Sequence, residues 1–331
     1  MAAIALRSPQ YKTALADTGT PLSAKITISI DGTIEYTLVK PTSLNQNMLW
    51  EIAELCRDFI NITFNGTYTA ETLAIISTLT SHASTDGTGT ALTTDTFTDV
   101  GYDGYGTFME GDNPEIPFSN RPRWLLNTNP ESLDVYYIYV PNNTAGVLPY
   151  IAVDASMGYL GYSSQQTSIL ASTNYGQYLV NINRVDCTKY GYGHKITFVN
   201  KFGALQDIWF FLKSVNTTNK KQEQFQRNII TSTGSYNVNT HTKQDYNTVA
   251  NTSISLSSGY YPEWANQWFE QLLLSEQVWL TRTDPFDSSA DEVVPVNVKK
   301  SNMVKKTSLN ERLIDYTFEF DMSFDYINNI R

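Results

Sequence analysis

Leu22-Ser-Ala-Lys-Ile-Thr-Ile-Ser-Ile-Asp-Gly-Thr-Ile-Glu-Tyr-Thr-Leu-Val39 sets Ile26, Ile28 and Ile30 on one face of an extended chain and Thr27 and Ser29 on the other. Strand side chains alternate with a period of two, so the run predicts a half-buried strand. Alternation resumes through Ile34, Tyr36 and Leu38 after Asp31-Gly32. A type I′ turn needs positive φ at both central residues, which Asp-Gly tolerates, and the stretch therefore predicts a tight antiparallel hairpin. The surrounding composition agrees. The 331 residues include 39 Thr and 27 Asn; Thr suits a pleated surface and Asn suits turns. The fold class is mainly β with a few helices, in β-sandwich or barrel-like domains that carry long ordered loops or arms.

Outward from the hairpin, Ser43-Leu-Asn-Gln46 has the spacing of a capping box, and Met48, Ile52, Leu55 and Phe59 recur at helical intervals. Together they predict a helix from about 46 to 60. Strands are expected at 61–64 and 71–79, then a Ser/Thr/Gly-rich loop over 80–98 and a Gly/Pro/Asp/Asn-rich loop or arm over 99–130. Further strands are expected at 134–140, 148–153, 177–185, 195–200 and 205–213, with a short polar helix at 220–227 and an extended hairpin or arm at 231–252. Pro262 suits a first helical turn, and Trp264, Trp268 and Leu272 share one face, so 262–274 is expected to be helical. Strands at 277–281, 293–299 and 316–324 follow. The length suits two domains, or one domain with a large insertion, and the division into two is the expectation. These are an N-terminal β domain over 1–130, with one amphipathic helix and the long Gly/Asp-rich loop, and a C-terminal β-sandwich-like domain over 131–331.

Formal net charge is −10, from 33 acidic and 23 basic residues. Such a surface repels phosphate, which argues against direct nucleic-acid binding. The longest apolar runs, 135–140 and 208–212, fall far short of the ~18 residues of a membrane span, so no membrane role is expected. Cys56 and Cys187 make neither a disulfide scaffold nor a zinc knuckle and are expected to be small core residues. His82, His194 and His241 have no His or Cys partner at metal-ligand spacing. No nucleophile elbow occurs, and Gly191-Tyr-Gly-His-Lys195 lacks the Walker spacing. No catalytic residue, metal or cofactor is assigned. Gly101-Tyr-Asp-Gly-Tyr-Gly106, with Asp99, Asp103, Glu110 and Asp112, is the stretch best suited to calcium or a sugar, although its spacing is not that of an EF-hand. An aromatic-bearing interaction loop is the simpler expectation for it.

Three stretches carry a resemblance. They are Trp50-Glu-Ile-Ala-Glu-Leu-Cys-Arg-Asp-Phe-Ile60 after the small hairpin, Asn200-Lys-Phe-Gly-Ala-Leu-Gln-Asp-Ile-Trp-Phe-Phe-Leu-Lys213, and Pro262-Glu-Trp-Ala-Asn-Gln-Trp-Phe-Glu-Gln-Leu-Leu-Leu-Ser-Glu-Gln-Val-Trp-Leu280, the last followed by Val294-Pro-Val296 and the closing strand 314–324. Together they resemble tail or baseplate-region proteins of tailed bacteriophages, particularly phages of marine and Bacteroidota hosts. The resemblance implies a non-enzymatic virion structural protein, made in the host cytoplasm without a signal peptide and incorporated in the tail. It would contact other virion proteins and form a homo-oligomeric ring or adaptor. The alternative is a receptor protein that binds or depolymerises a host surface glycan through residues 99–112. A more distant one is a head–tail connector or minor capsid protein. On each of these, loop aromatics carry the contacts, and the interface candidates are Tyr102, Tyr105, Phe108, Trp124, Tyr236 and Tyr246. Tyr159, Tyr162 and Tyr175 are further loop aromatics of the same kind.

Overall fold

A computed structural model describes residues 2–14, 22–41, 48–114, 123–124, 135–151, 157–173, 176–186, 193–282, 292–299, 302–305 and 313–325. The capping box at 43–46, Tyr175, Cys187 and most of 115–134 lie outside them. The fold is mainly β. Its first sheet has five strands in the spatial order Ala2–Ala5, Ala91–Tyr102, Leu73–His82, Ser23–Ile30 and Thr33–Pro41. The hairpin forms as its alternation predicts: Ile26, Ile28 and Ile30 are buried, and Asp31 (φ 48°) and Gly32 (φ 86°) make the turn. The Asp31 carboxylate accepts a hydrogen bond from the Ala74 N–H at 2.9 Å, which pins the turn to the neighbouring strand.

The expected loop over 80–98 is largely strand, since Ala91–Tyr102 pairs antiparallel with Leu73–His82 and parallel with Ala2–Ala5. Half-buried and exposed residues alternate along its first half, with Thr93, Asp95 and Phe97 turned inward. β-Branched Thr thus fills the pleat where no apolar period marks it. The expected helix over 46–60 is reduced to Ala53–Arg57, because Met48–Glu51 is extended and pairs with Tyr11–Ala14. Trp50 and Ile52 are both buried while Leu49 is exposed, a period of two that overrides the helical spacing. Glu51 marks the change of conformation, its carboxylate accepting the Ala53 N–H at 2.8 Å. No strand forms over 61–64. Ile62 and Phe64 instead pack, in irregular chain, on Val199, Leu205 and Trp279 of the second sheet.

The second large sheet has seven strands, ordered Leu205–Phe210, His194–Val199, Val278–Arg282, Glu292–Val298, Thr317–Met322, Lys243–Ser257 and Ser214–Gln226. The predicted helix at 262–274 appears as a 3₁₀ turn, Glu263–Ala265, running into the α-helix Asn266–Leu274. Its Phe269 meets Phe210 at 6.2 Å and Phe318 at 5.9 Å between ring centroids, and Phe320 lies 5.9 Å from Phe210. These offset and edge-on contacts form the aromatic centre of the larger core. The polar helix expected at 220–227 is strand, dictated by its partner strand rather than by its own Lys/Gln/Glu composition. Two three-stranded sheets, over 123–162 and 135–185, complete the C-terminal half, and their strands Met157–Tyr162 and Ser168–Thr173 carry no clear alternation in sequence.

Candidate functional site

Ser214–Gln226 and Lys243–Ser257 pair from Ser214 opposite Leu256 out to Gln226 opposite Lys243. Only the base of this hairpin belongs to the sheet, because Thr317–Asp321 pairs with Ser253–Ser257 and no further. From Thr218 and Thr252 outward the two strands pair only with each other. At ~3.3 Å per residue this is a two-stranded ribbon about 30 Å long. All of Ser214–Gln226 is exposed. A register shift at Lys221–Glu223, opposite Asn247 at φ 50°, twists the ribbon midway. Beyond it one face carries Phe225 and Tyr246, edge to face at 5.6 Å, and on the other Gln224 donates to the Asp245 carboxylate at 2.8 Å, which Lys220 reaches from the base side of the shift at 3.4 Å. The tip is organised by a turn in which the Gly234 N–H donates to Thr231 and by Thr231 hydroxyl bonds to Ser235, yet Ile230, Tyr236 and Val238 all stand in solvent.

A second surface lies at the end of strand Ala91–Tyr102. The loop 103–114 is fastened at several points. The Arg7 N–H donates to the Gly104 carbonyl at 2.9 Å, the Gly106 N–H donates to the Ser8 hydroxyl at 2.8 Å, and the Tyr105 N–H donates to the Lys201 carbonyl at 2.8 Å. Thr107 and Glu110 form a reciprocal capping box around the turn Phe108–Glu110, and Glu110 also pairs with Lys201. The Gln10 side chain donates to the Pro114 carbonyl at 2.9 Å. Held by these bonds, Phe108 and Met109 are 98% and 91% exposed. An ordered backbone that presents two bulky apolar side chains to water has already met most of the entropic cost of binding through them.

The structure sorts the six interface candidates. Phe108, Tyr236 and Tyr246 are exposed, and Tyr105 is half-buried beneath the Arg7 guanidinium, 5.2 Å from its ring. Tyr102 is a correction: it is fully buried against Ala3, Ala5, Met157 and Ala204, because the strand runs on through it. Trp124 lies in the strand Arg123–Trp124 opposite Tyr150, and its side chain is outside the described residues. Tyr159 and Tyr162 are strand residues rather than loop residues, and Tyr162 is buried. Exposed residues that the sequence reading missed are Met109, Phe225, Ile230 and Val238. For Phe225 and Val238 the available signal was isolation, each being a single apolar residue between polar ones; Met109 follows Phe108 and Ile230 follows Ile229, so they carried no such signal.

The Gly/Asp segment at 99–112 is built for packing. A Cβ on Gly101 would stand 2.7 Å from Leu6, one on Gly104 2.7 Å from the Lys201 carbonyl oxygen, and one on Gly106 2.3 Å from Pro114. Three of its four carboxylates already hold cations: Asp99 meets Lys12 at 2.5 Å, Asp103 meets Arg57 at 3.0 Å, and Glu110 meets Lys201. Burial raises the Asp103 carboxyl above its ordinary value, against the opposing pull of Arg57. Among the described residues no three His, Cys, Asp or Glu side chains group as a metal site.

Elsewhere the most concentrated chemistry is a polar knot under the 60–70 strap. The Tyr68 hydroxyl donates to Asp207 at 2.5 Å, Thr197 donates to the other Asp207 oxygen at 2.7 Å, and the Lys195 ammonium lies 3.1 Å from the Tyr68 oxygen. Burial, then the Asp207 charge, drives the Tyr68 phenol far above its usual value, so it serves as a donor and not as a nucleophile. Burial likewise pushes the Cys56 thiol up to about 12 and holds the His194 imidazole below its ordinary value. A crevice of only about 20 Å³, lined by Tyr139, Pro149, Trp209, Tyr261 and Trp268 among others, has room for about one water; Gln206 Nε2 and Trp209 Nε1, on two of its lining residues, are buried and have no partner among the described residues. No helix among the described residues is long and apolar enough to cross a membrane. Comparison with protein-family models, with curated proteins and with solved structures gives no match to this chain.

Proposed function

We propose that this chain is a non-enzymatic structural subunit of a tailed-phage virion, placed in the tail or baseplate region, where copies assemble as a ring or adaptor. The observation that carries the reading is the ribbon Ser214–Ser257. A lone two-stranded ladder is marginal in water, and this one adds Phe225, Ile230, Tyr236, Val238 and Tyr246 to its exposed surface. Such a feature gains stability when a neighbour covers it, and beyond its base at Ile254 and Leu256 it contributes nothing to the larger core. The resemblance of residues 50–60, 200–213 and 262–280 to tail and baseplate-region proteins supports the location. The pairing of the buried Asp99 and Asp103 with Lys12 and Arg57, and of the half-buried Asp207 with Tyr68 and Thr197, supports a building block over a catalyst.

Quantitative mass spectrometry of density-purified particles tests the proposal. Peptides of this chain at a fixed ratio to the major capsid protein are expected, and complete infectious particles without them would remove it. The measured ratio also separates a tail ring from a head–tail connector or minor capsid protein, the more distant options.

A further inference from the structure

The ribbon and the Phe108 loop have opposite charge as well as similar apolar exposure. The ribbon carries Lys220, Lys221, Arg227 and Lys243 against Glu223 and Asp245, in a chain of net charge −10, and is therefore the basic projection of an acidic molecule. Among the described residues no carboxylate pairs with Lys221, Arg227 or Lys243, and no cation pairs with Asp112. Phe108 and Met109 are followed at once by Glu110 and Asp112, whereas Ile230, Tyr236 and Val238 lie between Arg227 and Lys243. Glu110 is neutralised by Lys201, so each surface is an apolar centre beside unpaired charge of one sign, Asp112 on the loop and Arg227 and Lys243 on the ribbon, the pattern of an interface core with its rim.

Both surfaces are held in shape: the loop by the Ser8, Gln10, Lys201 and Glu110 contacts, and the ribbon tip by the Thr231–Ser235 hydroxyl bonds. The edge of the ribbon is poorly suited to strand addition, because Lys220, Lys221 and the register shift interrupt it. Contact through the tip and faces remains.

We propose that the ribbon tip of one copy docks on the Phe108–Met109 loop of the next, with Arg227 and Lys243 facing Asp112. The inference rests on the homo-oligomeric reading above and names the surfaces that build it. Two different patches in contact make a heterologous, head-to-tail interface, which closes into a ring when the rotation per copy permits.

The test uses the full chain in solution by light scattering and mass photometry. One variant carries Phe108→Ser with Met109→Ser, and a second carries Tyr236→Ser with Val238→Ser. All four residues are in solvent, so both variants should keep the wild-type melting curve, which is measured alongside. Each is expected to weaken self-association by roughly tenfold to a hundredfold, as loss of a central apolar anchor does. Mixed together they should form a one-to-one heterodimer and nothing larger, since each retains the surface the other lacks. Asp112→Lys should weaken assembly, and Arg227→Glu with Lys243→Glu should restore it. If wild type and both variants assemble equally, or if both fail yet form no heterodimer, the ribbon–loop contact is overturned while the oligomeric reading survives. A wild type that stays monomeric at every concentration overturns both.

Discussion

Gly104 lies so near the turn 200–204 that a Cβ there would sit 2.7 Å from the Lys201 carbonyl oxygen and 3.0 Å from the Phe202 carbonyl carbon. Backbone atoms do not swing aside as the end of a flexible side chain does. Gly104→Ala is therefore expected to cost about 1–3 kcal/mol, the usual range for overpacking. It should also release the Phe108 loop, so limited proteolysis should cut near Phe108 in the variant and spare the wild type. The buried phenols make a second prediction at this scale. Burial pushes Tyr105 and Tyr159 up to about 12 and raises Tyr68 and Tyr162 still further. In the unfolded chain these groups ionise near ~10. Folded values above unfolded ones mean that the stabilisation is complete below about pH 10 and is lost as pH climbs toward and past about 12. Stability measured by denaturant melts should fall steeply on the alkaline side, and phenolate absorbance should rise in step with unfolding. Early, fully reversible ionisation of all 21 tyrosines in the folded state would contradict the buried placements.

The helix Asn266–Leu274 is attached by two kinds of contact of different strength, and substitutions separate them. Its Phe269 is fully buried among Phe210, Tyr261, Tyr316 and Phe318, and Phe269→Ala should cost about 3–5 kcal/mol. Just past the helix end, Glu276 receives Arg7 at 3.1 Å and also Arg57, which joins it to Asp103 and the first sheet. Burial works against the Glu276 charge, but the two guanidiniums outweigh it and hold this carboxyl below its ordinary value. Glu276 is 53% exposed, however, so water screens the pair and Glu276→Gln should cost only about 0.5–1 kcal/mol. Thermal melts of the two variants should differ accordingly. That hierarchy also explains what could be read from sequence. Elements whose own side chains set their burial were legible: the Ile26–Ile30 strand, the Asp31-Gly32 turn and the Trp264–Leu272 face. Elements decided by a distant partner were not. Met48–Glu51 is extended because Tyr11–Ala14 pairs with it, and Ser214–Gln226 because Lys243–Ser257 does. Ala91–Tyr102 was hidden by Thr, which is polar by composition and strand-forming by shape. Of the candidate surface, Phe108, Tyr236 and Tyr246 were legible as aromatics in polar surroundings, while Tyr102 misled because nothing in the Gly-rich stretch showed that the strand continues through it.

At the scale of the whole molecule, the ribbon contributes exposed area and charge and almost nothing to the core. The larger core extends into it no farther than Ile254 and Leu256, at the base where Thr317–Asp321 still pairs. Excising Asn219–Asn251 and joining Thr218 to Thr252 through Asn-Gly replaces the projection with a two-residue hairpin that keeps the register at its base. A monomer's melting temperature should change little, by less than about 4 °C, since a loss of 1 kcal/mol shifts a chain of this size by only a few degrees. On the proposed head-to-tail contact, assembly should be lost, because the basic arm and the exposed Ile230, Tyr236 and Val238 leave together. Sedimentation of the excised chain beside the wild type reads both quantities when combined with a thermal melt. An excised chain that still forms the wild-type oligomer would leave the ribbon without its role. One that fails to fold would show that the hairpin belongs to the core after all, contrary to the exposure of every residue from Ser214 to Gln226. The surplus of positive charge on the arm adds a condition: wild-type association should weaken as salt is raised, because exposed charges across an interface are screened within ~10 Å at ~0.1 M. A salt-insensitive oligomer would place its interface elsewhere, on the neutral faces of the sheets.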